Sequence, residues 1–272
     1  MSHIRIGSLF SGIGGLDLGL EYAFREAGHT TSVEWQCDSD PFCLAILSRR
    51  WPNATRFPSV TSLHNPPPVG LLCGGFPCQD ISRAGRQAGI HGERSGLWHE
   101  FLRLIVELQP RAVVIENVSA LASDGLAHVL GGLASAGLDA FWFTLRASDA
   151  GAPHRRERLF IVAHSSGQGL PLSQRYPSRA EDRSPVRGAT PQFPASPPAD
   201  TRSPLSLLGG MPHGIPTILD HLFPAPPGEQ HPWEPPRTAV ATPHRSDRLK
   251  ALGNAVVPQV AYLVGRTVLP FL

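Results

Sequence analysis

The chain has 272 residues, a formal charge of +2, and 41% hydrophobic against 17% charged side chains. This excludes wholesale disorder, and the length suits one large domain, or one large and one small, at roughly 100–200 residues per domain. No apolar run approaches the ~20 residues that span a bilayer, and the N-terminus lacks the basic flank and apolar stretch of a secretory signal, so a cytoplasmic protein is expected.

In chain order, Ile4–Phe10 reads as an apolar strand running into a glycine turn, and Leu16–Ala27 has helical spacing. Thr31–Trp35 is a second strand, Pro41–Arg50 a helix and Val69–Cys73 a third strand. Leu97–Leu108 is an amphipathic helix with Leu97, Phe101, Leu104, Ile105 and Leu108 on one face. Ala112–Ile115 (strand), Leu126–Ala136 (helix), Phe141–Leu145 (strand) and Leu159–Ala163 (strand) follow. This alternation predicts an α/β fold with a mainly parallel, doubly wound sheet, whose ligands bind beyond the carboxyl ends of the strands. Residues 165–245 hold 17 of the 28 prolines and keep almost no periodicity. Central strands and long helices are excluded there, so the segment is expected to be a separate, loop-built region or a partly disordered insert. The tail Val256–Leu269 reads as a last apolar helix returning to the first domain.

Four cysteines, Cys37, Cys43, Cys73 and Cys78, form no CxxC pair, so neither a disulfide scaffold nor a structural zinc site is expected. Lys250 is the only lysine among 24 basic residues. The arginine fork suits phosphate and guanine. A GC-rich genome gives the same bias, and that explanation carries more weight.

The chemistry-bearing motifs lie at strand ends. Phe10-Ser-Gly12-Ile-Gly14-Gly15-Leu16 joins the first strand to a helix. Its glycines allow close backbone approach of a ligand, although a plain tight turn explains them equally well. The second predicted strand ends in Glu34-Trp35, about 20 positions on, where an acid can bind a ribose diol and an indole can stack on adenine. The competing reading is a surface Glu and a core Trp. An adenosine cofactor is favoured, with NAD and S-adenosylmethionine both open. The third strand leads into Gly74-Gly75-Phe76-Pro77-Cys78-Gln79, followed by Asp80, Ser82, Arg83 and Arg86. A lone Cys is usually a small buried hydrophobe, but a polar, Arg-flanked loop favours the thiolate. Glu116-Asn117-Val118 ends the next strand, and Cys78 with Glu116 makes a nucleophile and acid pair.

Phe10–Leu16, Gly75–Gln79, Glu116–Val118, Arg155-Arg-Glu-Arg158 and Gly253-Asn-Ala-Val-Val257 stand in the order seen in DNA cytosine-5 methyltransferases of bacterial or phage type. The chain resembles that family over residues 1–164 and 246–272, which would form the catalytic, cofactor-binding domain, with 165–245 as target-recognition region. The resemblance implies a Rossmann-like, S-adenosylmethionine-dependent fold with a small, Pro-rich recognition region. It implies that the Cys78 thiolate adds to C6 of a flipped cytosine, and that C5 then takes the methyl group. Glu116 would contact N3 and the exocyclic amine, while Arg158 and Arg156 would hold the base. Phe10, Gly12, Gly14, Gly15, Leu16, Glu34, Trp35, Pro77, Leu97, Asn254, Ala255 and Val256 are the implied cofactor contacts. Gln79–Gly96 resembles the family's closing loop, with Gln79, Ser82, Arg83 and Arg94 as DNA contacts.

Three departures from the family pattern stand out. Ser59 sits where an Asp usually meets the adenine amine, which implies weaker cofactor binding. His154 replaces a Gln before the paired arginines. The arginine-led motif supporting the recognition domain is not recognisable, leaving Arg175, Arg179, Arg183, Arg187, Arg202 and Arg237 as base-reading candidates by chemistry only. The expected partner is double-stranded DNA, bound by a monomer in a restriction–modification or phage-type context, with a cognate endonuclease acting separately. The alternatives are an RNA (tRNA) cytosine-5 methyltransferase, an inactive DNA-binding relative and, least well, an NAD oxidoreductase.

Overall fold

A computed structural model describes residues 2–77, 96–152, 154–165 and 243–272. The described elements are β1 (His3–Leu9), α1 (Gly15–Glu26), β2 (Thr30–Cys37), α2 (Pro41–Arg50), β3 (Thr55–Phe57), β4 (Leu71–Gly74) and α3 (Gly96–Leu108). They continue with β5 (Ala112–Val118), α4 (Leu121–Asp124), α5 (Leu126–Ser135), β6 (Leu138–Leu145) and β7 (Arg158–Ser165). The tail gives α6 (Arg245–Asn254) and α7 (Pro258–Val268).

The seven strands form one sheet in the order β3-β2-β1-β4-β5-β7-β6. β1 pairs in parallel with both β2 and β4, so the strand order reverses beside it. A crevice opens at such a reversal, beyond the carboxyl ends of the strands. The expectation of a mainly parallel sheet holds for β1 to β5 and is corrected at β7, which runs antiparallel to β5 and β6. A parallel return needs a crossover, usually through a helix. Between β6 and β7 the described chain has only the 3-10 turn Ala147–Ala150.

Strand alternation divides the core between the two faces of the sheet. Ile4, Ile6 and Val114 pack with Leu20, Phe24 and Tyr262 on the side of α1 and α7. Leu9, Val113 and Ile115 pack with Phe101, Leu104 and Val129 on the side of α3 and α5. In α3 the fully covered stripe starts at Trp98, one residue later than predicted, and Leu97 and Leu108 are only partly buried. α2 begins at the expected Pro41, because the Asp40 side chain accepts from Phe42 N at 2.9 Å and proline needs no donor in the first turn.

The returning tail is held by close helix contact. Gly15, Gly19 and Ala23 recur every fourth residue on α1, facing Val256, Ala261 and Gly265. A Cβ on Gly19 would stand 2.2 Å from Pro258 O, so only glycine admits α7 at this separation. The expected helix over 256–269 is thus present as α7.

Candidate active site

The glycine turn after β1 and the Gly74–Gly75 turn after β4 meet in the crevice. Phe10, Gly12, Gly15, Leu16, Asp17, Gly74, Gly75 and Glu116 wall one small cavity there, closed by Asn254, Ala255 and Val256 from the tail. The three elements thus converge at one cavity. Gly12 has φ 56° and open space where a side chain would be, so the turn presents no side chain at this point. Gly14 and Gly15 serve the protein's own packing. A Cβ would meet the Trp51 ring at 2.3 Å in the first and Val256 O at 2.1 Å in the second. Phe10 holds φ 53°, a sparsely populated conformation for an aromatic residue, at the cavity wall.

At the opposite wall, Glu116 Oε1 accepts Arg158 Nε at 3.0 Å. The antiparallel register makes this possible: Val118 at the end of β5 pairs with Arg158 at the start of β7. The Arg-rich turn is thereby returned to the carboxyl edge. The Glu116 side chain remains 12% exposed, so it is shielded yet reachable from the cavity. Burial raises its carboxyl above the ordinary value, against the pull of Arg158 and Arg156. Gly75 makes room for it, since a Cβ there would lie 2.7 Å from Glu116 Oε2.

Asn117 was not singled out from sequence, yet it organises this edge. It is 4% exposed; its Nδ2 donates to Phe76 O at 3.0 Å while its Oδ1 accepts from Val118 N at 2.9 Å. It thereby fixes the backbone immediately before Pro77. The signal available was a buried amide beside a strand-end acid, which implies a hydrogen-bond partner. Cys78, Gln79, Ser82, Arg83 and Arg94 lie outside the described residues.

The structure corrects several expectations. β2 does not end at Trp35 but continues to Cys37. Its register with β1 jumps from Ile6↔Val33 to Gly7↔Trp35, so Glu34 is the extra residue of a bulge, well short of the strand end. Glu34 accepts from Ser32 Oγ at 2.5 Å. Trp35 is fully buried, packs across Gly7 and donates its indole N–H to Pro67 O at 2.9 Å, which leaves no ring face for a ligand. The acid at the true strand end is Asp38, whose Oδ2 accepts from Gly12 N at 2.7 Å in the glycine turn itself. Arg156 turns to the tail instead of the cavity, with Nη2 donating to Gly253 O at 2.8 Å and Ala255 O at 2.7 Å. Pro77, which is exposed, and Leu97 are not among the cavity walls. Ser59 shares a 2.8 Å hydrogen bond with Thr61, and His154 is exposed.

A wider cleft of about 710 Å³ lies behind the glycine turn, lined by Ile13, Leu18, Trp51, Leu252 and Val257 among others. It shares Gly15, Ala255 and Val256 with the small cavity but not Glu116. The small cavity is therefore the one that joins the glycine turn to the strand-end carboxyl.

The comparisons agree with this geometry. The family described as C-5 cytosine-specific DNA methylase matches residues 4–199. Type II methyltransferase M2.BsuMI of Bacillus subtilis (strain 168) is 34% identical over 168 residues, covering 59% of this chain and 42% of that protein. Type II methyltransferase M.AquIA of Picosynechococcus sp. (strain ATCC 27264 / PCC 7002 / PR-6) is 33% identical over 184 residues, covering 59% of this chain and 72% of that one. The chain spans about two fifths of the length of the first curated relatives it matches. The solved structure of the Entamoeba histolytica methyltransferase EhMeth overlaps 63% of this chain and 56% of its own, with TM-score 0.50 and 18% identity, a likeness of fold alone. With a family match running through the glycine turn, the Glu116 strand end and the Arg158 turn, the chain belongs to the C-5 cytosine-specific DNA methylase family.

Proposed function

We propose that the chain is a DNA (cytosine-5-)-methyltransferase acting on double-stranded DNA, with S-adenosylmethionine as its cofactor. One observation carries the reading. The Glu116 carboxyl, held by Arg158 at 3.0 Å, shares a single cavity with the glycine turn and the Asn254–Val256 tail, directly beside the backbone that leads into Cys78.

The cavity, about 40 Å³, would take only part of the cofactor. Phe10 and Leu16 supply apolar wall, and the ribose hydroxyls are assigned to Asp38, the acid just past β2, which is tied to the glycine turn through Gly12 N at 2.7 Å. Asp38 takes the ribose role first assigned to Glu34. When bound, S-adenosylmethionine supplies an electrophilic methyl group on a sulfonium. The residues of the chain prepare the base. A paired cytosine is out of reach, so it must leave the duplex stack. C5 is a poor nucleophile until the Cys78 sulfur bonds to C6, which moves electrons toward C5. Glu116, whose carboxyl burial raises above its ordinary value, would hold a proton at N3 as the ring gains electron density. Arg158 keeps that carboxyl aimed. Loss of the C5 proton and departure of the Cys78 thiolate then restore the ring. Asn117 and Arg156 act at one remove, the first on the backbone at Phe76 and the second on the tail.

Residues 165–245 remain as the segment for target recognition, and a restriction–modification or phage setting with a separate endonuclease fits the names of the relatives. A monomeric cytosolic enzyme is the simplest form. No helix among the described residues is long and apolar enough to cross a membrane.

Bisulfite sequencing of plasmid DNA from cells expressing the chain, beside a Cys78→Ser control, tests the proposal. Methylation at one short motif, lost in the control, is expected. Unmethylated DNA from cells holding soluble protein would overturn it.

A further inference from the structure

Asp17 has no part in the chemistry above. It stands in the first turn of α1, is fully buried, and lies in the wall of the cavity that holds Gly12, Gly75 and Glu116. Its carboxylate accepts from Ser8 Oγ at 3.1 Å and Gln36 Nε2 at 3.2 Å. Both donors are neutral, and no cation contributes to its environment among the described residues. Gln36 is only half used, its Oε1 being buried without a partner. Burial lifts the Asp17 carboxyl to about 6, and its hydrogen bonds, from Gln36, Ser8 and its own backbone N–H, pull it back only part of the way. A buried charge is ordinarily paired, so this cluster is incomplete.

The groups packed around it do not supply the missing charge. On α1, Glu21 adds like charge, although it is itself bonded to Arg25. On β4, the Cys73 thiol is raised chiefly by burial and further by Asp17 itself. β1 and β2 offer the neutral Ser8 and Gln36. Across the cavity on β5, Glu116 is matched by Arg158. α7 brings Gln259, and Tyr262 whose hydroxyl bonds Glu26.

We propose that Asp17 is the counter-ion for the sulfonium of the methyl donor, so that the chain binds S-adenosylmethionine in preference to its neutral thioether product, S-adenosylhomocysteine. The inference rests on the cofactor reading above. Donor and product share the amino-acid and adenosine moieties and differ in one methyl group and one positive charge. A carboxylate in a low-dielectric wall acts strongly on that charge and hardly at all on a neutral sulfur. Each turnover removes the charge that Asp17 holds, which favours exchange of product for donor. Linkage requires the reciprocal effect: the donor pulls the Asp17 proton off, and protonation of Asp17 weakens the donor.

Titration calorimetry of both ligands on the full chain at pH 8, 7, 6 and 5 tests this. If the donor moves the Asp17 titration down by one unit, the donor-over-product preference falls about fivefold from pH 8 to pH 5. At pH 6, donor binding should release protons to the buffer while product binding does not. Asp17→Asn should hold one low preference, flat within about twofold across the range, while Glu34→Gln, at the β2 bulge away from the cavity walls, should keep the wild-type slope. A wild-type preference that is flat with pH, or a slope that survives in Asp17→Asn, would overturn the counter-ion role alone. Failure of the wild type to bind either ligand would overturn the cofactor reading and this inference with it.

Discussion

Gly19→Ala probes the link between the tail and the cavity. The added Cβ would lie 2.2 Å from Pro258 O, 2.5 Å from Ala261 Cβ and 2.7 Å from Tyr262 N. Two of these are backbone atoms of α7, so no rotamer change relieves them. α7 must withdraw from α1 by roughly 1 Å, a strain comparable to overpacking a core, about 1–3 kcal/mol. At about 2–4 °C per kcal/mol for a domain of this size, Tm should fall by about 2–12 °C. The displacement also moves Asn254–Val256, which close the cavity, so donor affinity should fall in a protein that still melts cooperatively. Gly253→Ala is the control, because its Cβ meets nothing within 4 Å. It should melt within about 1 °C of wild type, as a surface substitution does. Calorimetric melting and donor titration of both variants decide the matter. A Gly19→Ala protein that melts and binds like wild type would show that the close packing of α1 on α7 does not hold the cavity shut.

Asn117→Ala removes the bond to Phe76 O and should cost about 1–2 kcal/mol in stability. Its methyl-transfer rate should fall more than tenfold with donor affinity within about twofold, and an unchanged rate would refute the positioning role. Asp38→Asn should weaken donor binding, whereas Trp35→Phe should lower Tm without changing donor affinity in the folded protein; calorimetry giving the reverse would restore Trp35 as a cofactor contact. Asp17→Asn should stabilise the free protein at neutral pH. The folded carboxyl titrates near 6 against an ordinary 3.8, so its ionisation opposes folding as pH rises from about 4 to 6, by up to roughly 3 kcal/mol at pH 7. The gain should vanish below pH 4, and denaturant melts showing a gain independent of pH would refute that assignment.

Much of the fold was legible in the sequence, because the signals were long or carried their own punctuation. α1, α3 and α7 have apolar stripes, and α2 starts at an Asp-Pro pair that reads as a cap. β3 and α4 are too short for a period to show, and α6 buries only Ala251, so it offers no stripe to read. The direction of β7 is invisible locally, since antiparallel and parallel strands share one side-chain alternation.

The site divides along the same line. Its position at strand ends follows from alternation of elements alone. The error over Glu34 and Trp35 has a specific source: the strand runs two residues further, to Cys37, and a one-residue bulge opposite Gly7 turns the indole into the core. A carboxylate about 20 residues past the glycine turn is a sound expectation, but the chain holds two, Glu34 and Asp38, and only register tells them apart. Arg156 and Arg158 pose the same problem in reverse. They are two residues apart in one motif, yet φ 30° at Arg156 aims its guanidinium at the tail carbonyls while the β7 pairing aims Arg158 at Glu116. Sequence motifs name the groups that must meet; the bulge, the antiparallel return and the glycine contacts decide which of them face the cavity.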